Sequence, residues 1–595
     1  MLQSVLDVLI GSEPFERLLV ERARPIVARA EAGVDALLAA LARALESPVL
    51  AVTPGPREAE ILARGVGAFL GPERAALFPA WEALPYEGIS PSPETASRRA
   101  EAARALRRAR GPFVLVTPAH AALTGLVPSI GQHDPLVLAA GATVASDGLA
   151  ERLVDLGYVR SEVVEHRGEF ALRGGIVDVF PGTARRPVRL ELFGDEVESL
   201  REFVPATQLS TDRVHQVEIH PVRELRATPE LREHAERLAP RVRDRFRDAL
   251  TRFADGLLFE GMEGLAPLLF DRLPTIADLL PPGSWTVLAQ ARRTLDRARQ
   301  AVDEATQLAE ASGWPGPAAL RPLEEALGER TRLHLSEFAE GIDLGLEGWG
   351  TAQGNAPELA RRLTELAARG YRVVVTAAGH GSLERAREVV TEHGLELDGD
   401  RHATAEADLA GGFVFAPGRL GVATEEDLFG SRRHTRAAPR ITRRRADALA
   451  LELQPGDFAV HRVHGVGRFV GVQRRAVAGA ERDYLVLEYA AGDRLSVPTD
   501  QVGMVAKYLG GEEPRLTRLG TNDWVRTTRR VKRAVKDMAG ELVRLYSVRM
   551  SVEGHAFGPD TPWQREMEDA FPYEETRDQV SAIDEVKRDM ERPKP

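Results

Sequence analysis

A strand, turn and helix pattern near the N-terminus is the first place where this sequence could hold a nucleotide. Residues 47–52 (SPVLAV) form a continuously apolar run that predicts a buried strand, and TPGPRE at 53–58 predicts a turn into a helix. A phosphate-binding loop needs GxxxxGK[ST], because the Lys contacts the β and γ phosphates and the Ser or Thr ligates Mg²⁺. No Gly-Lys pair occurs anywhere in the chain. The pattern therefore predicts either an unrelated α/β layer or a motor fold that has lost its ATP site.

Three weaker patterns are better explained by structure than by chemistry. Gly379 and Gly381, just before a serine, could cradle a phosphate at a helix start, but an ordinary turn with a serine N-cap is favoured. GDE at 194–196 resembles the end of a Walker B strand, yet the preceding strand alternates where a Walker B strand is apolar throughout. His461 and His464 would lie on opposite faces of a strand. We therefore expect no catalytic residue and no metal ligand.

Composition limits the classes of function further. At 595 residues the chain should hold several domains, and its 43% hydrophobic and 28% charged content is ordinary for a globular protein. The absence of cysteine excludes disulfides and thiolate metal sites. No apolar run reaches about 18 residues and no basic leader precedes one, so we expect a cytoplasmic protein with no membrane partner. The net charge of −11 argues against nucleic-acid binding by the whole surface.

The elements that would position functional residues alternate between helical and strand patterns. The pattern predicts a helix over 13–44, a small domain with strands at 176–180 and 188–193, mostly helix over 213–335, and a helix, strand and helix within 340–440. The fold class is therefore a multidomain mixture of α/β and α+β.

Residues 455–498 predict a compact antiparallel, barrel-like module. Gly465 and Gly467 are expected to break the strand pattern between the first two strands. A tight turn at 491–493 is expected to lead into the last strand. The four short predicted strands are 458–463, 468–474, 484–489 and 495–497. Such a sheet leaves edges to be covered or used, so we interpret it as a docking module.

Residues 81–106 carry the first family resemblance. The pattern LPYEGxSPSxExxSxR resembles the first domain of bacterial transcription-repair coupling factors (Mfd), which is similar to that of the excision-repair protein UvrB. In that family the UvrB-like module keeps the motor fold but loses its ATP site. The resemblance thus implies a degenerate motor fold, in agreement with the missing P-loop.

The stretch at 165–203, EHRGEFALRGGIVDVFPGTARRPVRLELFGDEVESLREF, is similar to the second domain of UvrB and of the coupling factors. In that family the domain docks on UvrA, and the resemblance implies contacts at Arg173, Arg189 and Phe193. Core packing of Phe193 and a solvated surface for the two arginines are the alternatives.

The motifs HxxHGVGRF and DYLxLEYAxGDxLxVP resemble the RNA-polymerase-interacting domain shared by CarD-type regulators and the coupling factors. In that family the module adds to an edge strand of the polymerase β subunit. The resemblance implies a contact on the YLVLEY strand, at Tyr484, Leu485 and Leu487. The alternative is that these apolar residues fill the module's own core.

The C-terminal stretch resembles the opening of a superfamily-2 motor domain. FPYEETxDQ looks like a Q-motif region in which Phe571 would pack near adenine and Gln579 would bond its edge, giving an incomplete nucleotide site. The helix predicted at 523–550 has either a solvated basic face or a face near DNA phosphates. We expect no cofactor in this chain, whereas the family uses ATP and Mg²⁺ to translocate on double-stranded DNA.

The resemblances identify the chain as the N-terminal portion of a coupling factor, ending before the motor P-loop. They imply recruitment of UvrA to stalled RNA polymerase, without ATP hydrolysis by this chain. A UvrB-type damage-verification protein would need a P-loop, and a stand-alone CarD-like regulator would leave the UvrB-like half unexplained. The implied boundaries are UvrB-like domain 1a at 1–130, the UvrA-binding domain 2 at 131–212, helical domain 1b at 213–335, a small α/β domain at 336–440, a linker at 441–452, the polymerase-interacting domain at 453–520, a linker helix at 521–556 and the start of a translocase domain at 557–595.

Overall fold

A computed structural model gives two compact units, Met1–Ala437 with Val477–Ala480, and Ala438–Ala476 with Glu481–Pro595. The residues that it describes are 2–22, 24–144, 146–205, 207–336, 338, 341–397, 399, 401–430, 455–461, 465–477, 480–498, 505–508, 514–518, 555–558 and 577–593. Within these ranges no helix is long and apolar enough to cross a membrane. The same ranges contain no group of acidic and histidine side chains that could hold a metal ion.

The first segment forms strands and helices of a parallel α/β layer. Its elements are α1 (Leu2–Ile10), α2 (Glu13–Val20), β1 (Ile26–Arg29), α3 (Val34–Leu45), β2 (Pro48–Thr53), α4 (Pro56–Leu70), β3 (Ala75–Leu77), α5 (Pro93–Arg108), β4 (Phe113–Pro118) and α6 (Ala119–Leu123). The predicted buried strand is confirmed as β2. The predicted continuous helix over 13–44 is wrong, because Pro25 and the left-handed Gly33 bound a short strand between α2 and α3.

The second segment is a small domain built on a six-stranded sheet. Its elements are β5 (Leu136–Ala139), α7 (Ser146–Asp155), β6 (Val159–Arg160), β7 (Glu169–Arg173), β8 (Ile176–Val179), β9 (Val188–Phe193), β10 (Glu196–Phe203), β11 (Ser210–Arg213) and β12 (Gln216–Ile219). The strand order is β11-β10-β9-β8-β7-β6, and β12 pairs with β5. Strand β12 lies beyond the expected boundary at residue 212 but pairs with β5 of this domain. The domain therefore extends to Ile219.

One face of this sheet packs on α7. Leu149 and Leu153 of α7 are buried in a core that includes Val177 of β8 and Leu190 of β9. Since side chains alternate along a strand, the residues between these core positions project from the opposite face, which we call the outer face.

The third segment returns to the parallel layer. Its elements are α8 (Pro229–Leu238), α9 (Asp244–Ala254), α10 (Ala266–Leu269), β13 (Trp285–Leu288), α11 (Ala291–Ser312), α12 (Leu323–Leu327), β14 (Arg332–Ser336) and β15 (Ile342–Asp343). The segment is thus helical only in part, because β13 and β14 insert beside β1 and β2. The seven-stranded order is β15-β1-β14-β13-β2-β4-β3, and every pair is parallel.

The fourth segment is a second α/β layer. Its elements are β16 (Leu346–Glu347), α13 (Ala356–Ala368), β17 (Arg372–Ala377), α14 (His380–Glu392), β18 (His402–Glu406), β19 (Phe413–Phe415), β20 (Leu420–Thr424) and α15 (Glu425–Phe429). The predicted helix, strand and helix are confirmed as α13, β17 and α14. The N-cap of α14 is Gly379, so Ser382 lies inside the helix and is not the N-cap.

The C-terminal unit contains a five-stranded sheet of order β24-β23-β22-β21-β25. Its elements are β21 (Phe458–His461), β22 (Gly465–Val477), β23 (Ala480–Glu488), β24 (Arg494–Pro498), β25 (Val505–Lys507) and α16 (Arg577–Met590). Gly465 and Gly467 belong to β22 and pair with β21, contrary to the expected break. The predicted linker at 441–452 and most of the predicted linker helix, 521–554, lie outside the described residues.

Candidate partner-binding surfaces

The outer face of the six-stranded sheet carries all three residues expected to contact UvrA. Arg173 lies opposite Ile176, and Ile176 lies opposite Glu191, which stands between Arg189 and Phe193 on β9. Opposed residues and residues two apart share a face of a sheet. The register therefore places Arg173, Arg189 and Phe193 on one surface.

Phe193 is the most exposed of the three. Phe193 is 80% exposed to solvent. It is the last residue of β9, and the two-residue turn that follows begins with Gly194, which has a left-handed φ of 61°. Ile176, on the same face, is also exposed. The core-packing alternative for Phe193 is thus excluded. A large aromatic side chain left in water is a typical anchor for a protein partner.

Arg189 is bound within the domain. Its Nε and Nη2 donate to the two carboxylate oxygens of Asp178 at 2.7 and 3.0 Å, and Nη1 donates to the Gln208 carbonyl at 3.2 Å. The guanidinium also lies 4.8 Å from the centre of the Phe203 ring. The hydrogen bonds that Arg189 donates to the Asp178 carboxylate raise the pKa of Arg189. Because the Asp178 side chain is only 1% exposed, Arg189 neutralises a buried charge, and the structure gives it a structural role.

Arg173 keeps more freedom. Its Nε and Nη2 donate to the carbonyl of Glu162 at 3.2 and 2.7 Å, which holds the side chain along the sheet. The residue is exposed, and no carboxylate pairs with it among the described residues. Its guanidinium therefore has donors left for a partner.

The motif at 81–106 fixes the small domain on the parallel layer. Fully buried Arg99 on α5 donates to Glu224 at 2.5 Å, and Trp81 Nε1 donates to the same carboxylate at 2.8 Å. Ser97 donates to the Pro221 carbonyl at 2.8 Å. Residues 221–224 connect the small domain to the third segment, so these hydrogen bonds hold that connection against the parallel layer.

A second polar cluster holds the same connection at residues 221–224. Arg223 Nη1 lies 3.2 Å from the Glu263 carboxylate and 2.7 Å from Ser90 Oγ, and Ser90 also donates to Glu263. Burial raises the pKa of Glu263, while Arg223 acts in the opposite direction. Sequence motifs alone did not reveal this clamp, because its partners are far apart in the chain.

The two leucines expected to contact RNA polymerase are core residues. Leu485 and Leu487 are 0% exposed and pack with Phe469, Tyr489 and Val497. Their strand, β23, lies between β22 and β24, so it is not an edge. The expected side-chain contact on β23 is therefore corrected to core packing. Tyr484 pairs through its backbone with Pro498, and its side chain lies outside the described residues.

Strand β24 occupies the position that an added strand requires. It pairs with β23 on one side and ends the sheet order of the described residues on the other. The opposite end is formed by β25, which has three residues against five in β24. Local patterning predicted β24 as a strand but could not predict that it is an edge, because strand order depends on tertiary pairing.

The turn between β2 and α4 is too short for a phosphate-binding loop. It consists of Pro54 and Gly55, and a proline follows as the first helical residue. Glu58 in the first turn of α4 accepts from Arg293 Nη2 at 3.3 Å, and Arg293 Nη1 donates to Gln290 at 2.5 Å. These side chains occupy the junction between α4 and α11. The short turn and the Glu58–Arg293 pair therefore differ from the glycine-rich loop with which a P-loop surrounds phosphates.

The incomplete nucleotide site stays a prediction. Phe571 lies outside the described residues. Gln579 belongs to α16, of which only the backbone is described at that position.

Comparisons with known proteins match two parts of the chain to family models. Residues 136–225 match the UvrB interaction domain, and residues 453–509 match the CarD-like/TRCF RID domain. Among curated relatives, the transcription-repair-coupling factor of Mycobacterium bovis is 36% identical over 625 residues, covering 94% of this chain and 50% of the relative. The same-named proteins of Myxococcus xanthus and Bacillus subtilis are 31% and 29% identical, covering 94% and 93% of this chain and 52% and 51% of theirs. The chain spans about half the length of these relatives.

Proposed function

We propose that this chain, which is a homologue of the transcription-repair-coupling factors, links RNA polymerase to the excision-repair protein UvrA. The observation that carries the proposal is the presence of two different docking modules in one chain, the UvrB interaction domain at 136–225 and the CarD-like/TRCF RID domain at 453–509. A chain that holds both partners brings repair to the place where transcription has stopped.

UvrA binds, in this proposal, to the outer face of the small domain. Phe193 supplies an exposed aromatic anchor, Arg173 supplies unused donors beside it, and Arg189 holds the sheet beneath them through Asp178. Aromatic and arginine side chains dominate the binding energy of many protein interfaces. The buried ion pair between Arg99 and Glu224 holds this face in a fixed orientation on the parallel layer.

RNA polymerase binds through the edge of β24 that no strand among the described residues covers. A strand of the polymerase β subunit would continue the sheet by hydrogen bonding to the outward-facing backbone groups of Arg494–Pro498. The core leucines of β23 support this edge from behind without touching the partner.

The ATP-driven translocation of the family on double-stranded DNA requires ATP and Mg²⁺. Residues 1–595 contain no P-loop, and Glu58, in the first helical turn after β2, pairs with Arg293 of α11. We therefore propose tethering without ATP hydrolysis by these residues. Steady ATP hydrolysis by the purified chain would contradict the proposal that these residues do not hydrolyse ATP. A matched sample without the chain serves as the control and should show no hydrolysis.

Sequential binding tests the tether. The N-terminal part of the polymerase β subunit is immobilised, this chain is added, and UvrA follows. We expect UvrA to be retained only when the chain is present. Retention of the chain without UvrA would refute the link while leaving the polymerase contact intact.

Amide hydrogen exchange locates the polymerase contact. On addition of the β-subunit fragment, amides of β24 that face away from β23 should gain protection, whereas those of β25 should not. Protection confined to β25 would place the added strand at the opposite edge of the sheet.

A further inference from the structure

Three arginines form a continuous row across the outer face of the small domain. Arg201 on β10 lies directly opposite Arg189 on β9, and Arg213 on β11 lies directly opposite Arg201. Directly opposed side chains on neighbouring strands are separated by about 5 Å at Cβ. The three guanidinium groups therefore extend one surface from Arg189 to the β11 edge of the sheet.

Such a row is unfavourable unless anions neutralise it, because like charges directly opposite one another destabilise a sheet. Asp178 neutralises Arg189. Arg201 and Arg213 have no hydrogen-bond or ion-pair partner among the described residues, and Arg201 Nε is buried without an acceptor. The described residues of the domain thus supply no counter-charge to these two arginines.

We propose that Arg201 and Arg213 bind carboxylates on the UvrA surface that contacts Phe193. This inference rests on the proposed function, and it names the chemistry of the partner: discrete acidic side chains placed opposite the arginine row. The row adjoins the face that carries Arg173 and Phe193, so one partner surface can cover both.

The charges around the row favour an acidic protein surface over nucleic acid. Glu191 lies between Arg189 and Phe193 on the outer face, and Glu196 lies opposite Phe193. A phosphate backbone running from the row to Phe193 would meet these carboxylates and be repelled. A protein surface, in contrast, can place acidic side chains opposite the arginines and leave uncharged groups opposite Glu191 and Glu196.

Neutral variants of the complete chain test the proposal. Arg201→Gln and Arg213→Gln should each weaken UvrA binding about fivefold at low salt, and the loss should shrink as salt screens the interaction. Arg152→Gln is the matched control, because Arg152 is an exposed arginine on α7, across the sheet from the row. Its UvrA affinity should equal that of the wild type.

Thermal stability separates this role from a structural one. Removing one of two opposed positive charges should leave the melting temperature of the small domain unchanged or raise it, while binding falls. A lower melting temperature in Arg213→Gln, which sits on an exposed edge strand, would overturn the proposal in favour of a structural role.

Two other outcomes also decide the matter. If Phe193→Ala weakens UvrA binding but both arginine variants bind like the wild type, the arginine inference fails and the proposed function stands. If the wild-type chain does not bind UvrA at all, the proposed function fails first. If the arginine variants instead lose affinity for a 30-base-pair duplex, with UvrA affinity unchanged, the partner of the row is nucleic acid and the proposal is refuted.

Discussion

Leu487 of β23 lies directly opposite Leu495 of β24, and Leu487 is fully buried in the core of the five-stranded sheet. Strand β23, which contributes the apolar run Leu485–Leu487, is therefore an interior strand of the module. Its buried leucines stabilise the fold, and among the described residues the neighbouring strand β24 ends the sheet with one edge unpaired.

Leu487→Arg should unfold the C-terminal sheet instead of removing a single contact. An unpaired charge in a fully buried site destabilises by more than about 4 kcal/mol, which approaches the stability of a small domain. Limited proteolysis and the circular dichroism of the variant measure this. Arg494→Gln removes only an exposed ion pair with Glu488 on β23, so it is the control and should remain folded. A folded Leu487→Arg protein that has lost only polymerase binding would return the contact to β23.

Phe193→Ala should weaken UvrA binding without lowering stability. An exposed aromatic anchor contributes about 2 kcal/mol or more to binding, equivalent to about 30-fold in Kd. Calorimetric titration of the chain with UvrA measures the change. Val154→Ala removes an exposed apolar side chain on α7, across the sheet, and should bind normally. Equal affinities for the two variants would remove Phe193 from the interface.

Arg189→Ala should destabilise the small domain, because it leaves the Asp178 carboxylate buried and unpaired. Breaking one partner of a buried ion pair costs about 3–5 kcal/mol. The double variant Arg189→Ala with Asp178→Ala should recover part of the loss, since both charges are then absent. Urea unfolding of the single and double variants tests this. A double variant less stable than Arg189→Ala would show that Asp178 stabilises the domain through other contacts.

Asp35 should make the stability of the N-terminal unit depend on pH. Its carboxylate is buried where α3 meets the loop before β19, and it accepts from the Ala410 and Ala36 amides at 2.8 and 3.0 Å. Burial raises the pKa of Asp35 to about 6, from 3.8. The folded state therefore binds the proton more tightly than the unfolded state.

The sign of the effect follows from this raised pKa. The stabilising contribution of Asp35 to the unfolding free energy is fully present below about pH 4. It is lost as the pH rises to about 6, and the loss is at most about 3 kcal/mol. The difference in unfolding free energy between the wild type and Asp35→Asn should fall across that window. A difference that stays constant, or rises with pH, would contradict the raised pKa.

Local patterns predicted many of the strands and helices. Strands β2 and β9 and the sequence α13, β17 and α14 follow directly from apolar runs, alternation and turn residues. The helix expected over 13–44 failed because Pro25 and Gly33 divide it. The break expected at Gly465 and Gly467 failed because a long paired strand can include glycine when its neighbour supplies the ladder hydrogen bonds.

Site residues were predictable in type but not in role. Phe193 is exposed and Arg189 is bound to Asp178, although sequence patterns treat both as equal members of one surface. Leu485 and Leu487 belong to the core, because they lie on the face of β23 that packs with Phe469, Tyr489 and Val497.

The sequence by itself determined the absence of a P-loop, the motifs that connect the chain to coupling factors, and the local identity of most strands. These properties depend on residues close together in the chain. Only the tertiary structure decided which strand is an edge, which arginine is neutralised, and that Arg189, Arg201 and Arg213 stand side by side. Each of these depends on pairing between separate strands, and burial and charge compensation exist only after the strands have paired.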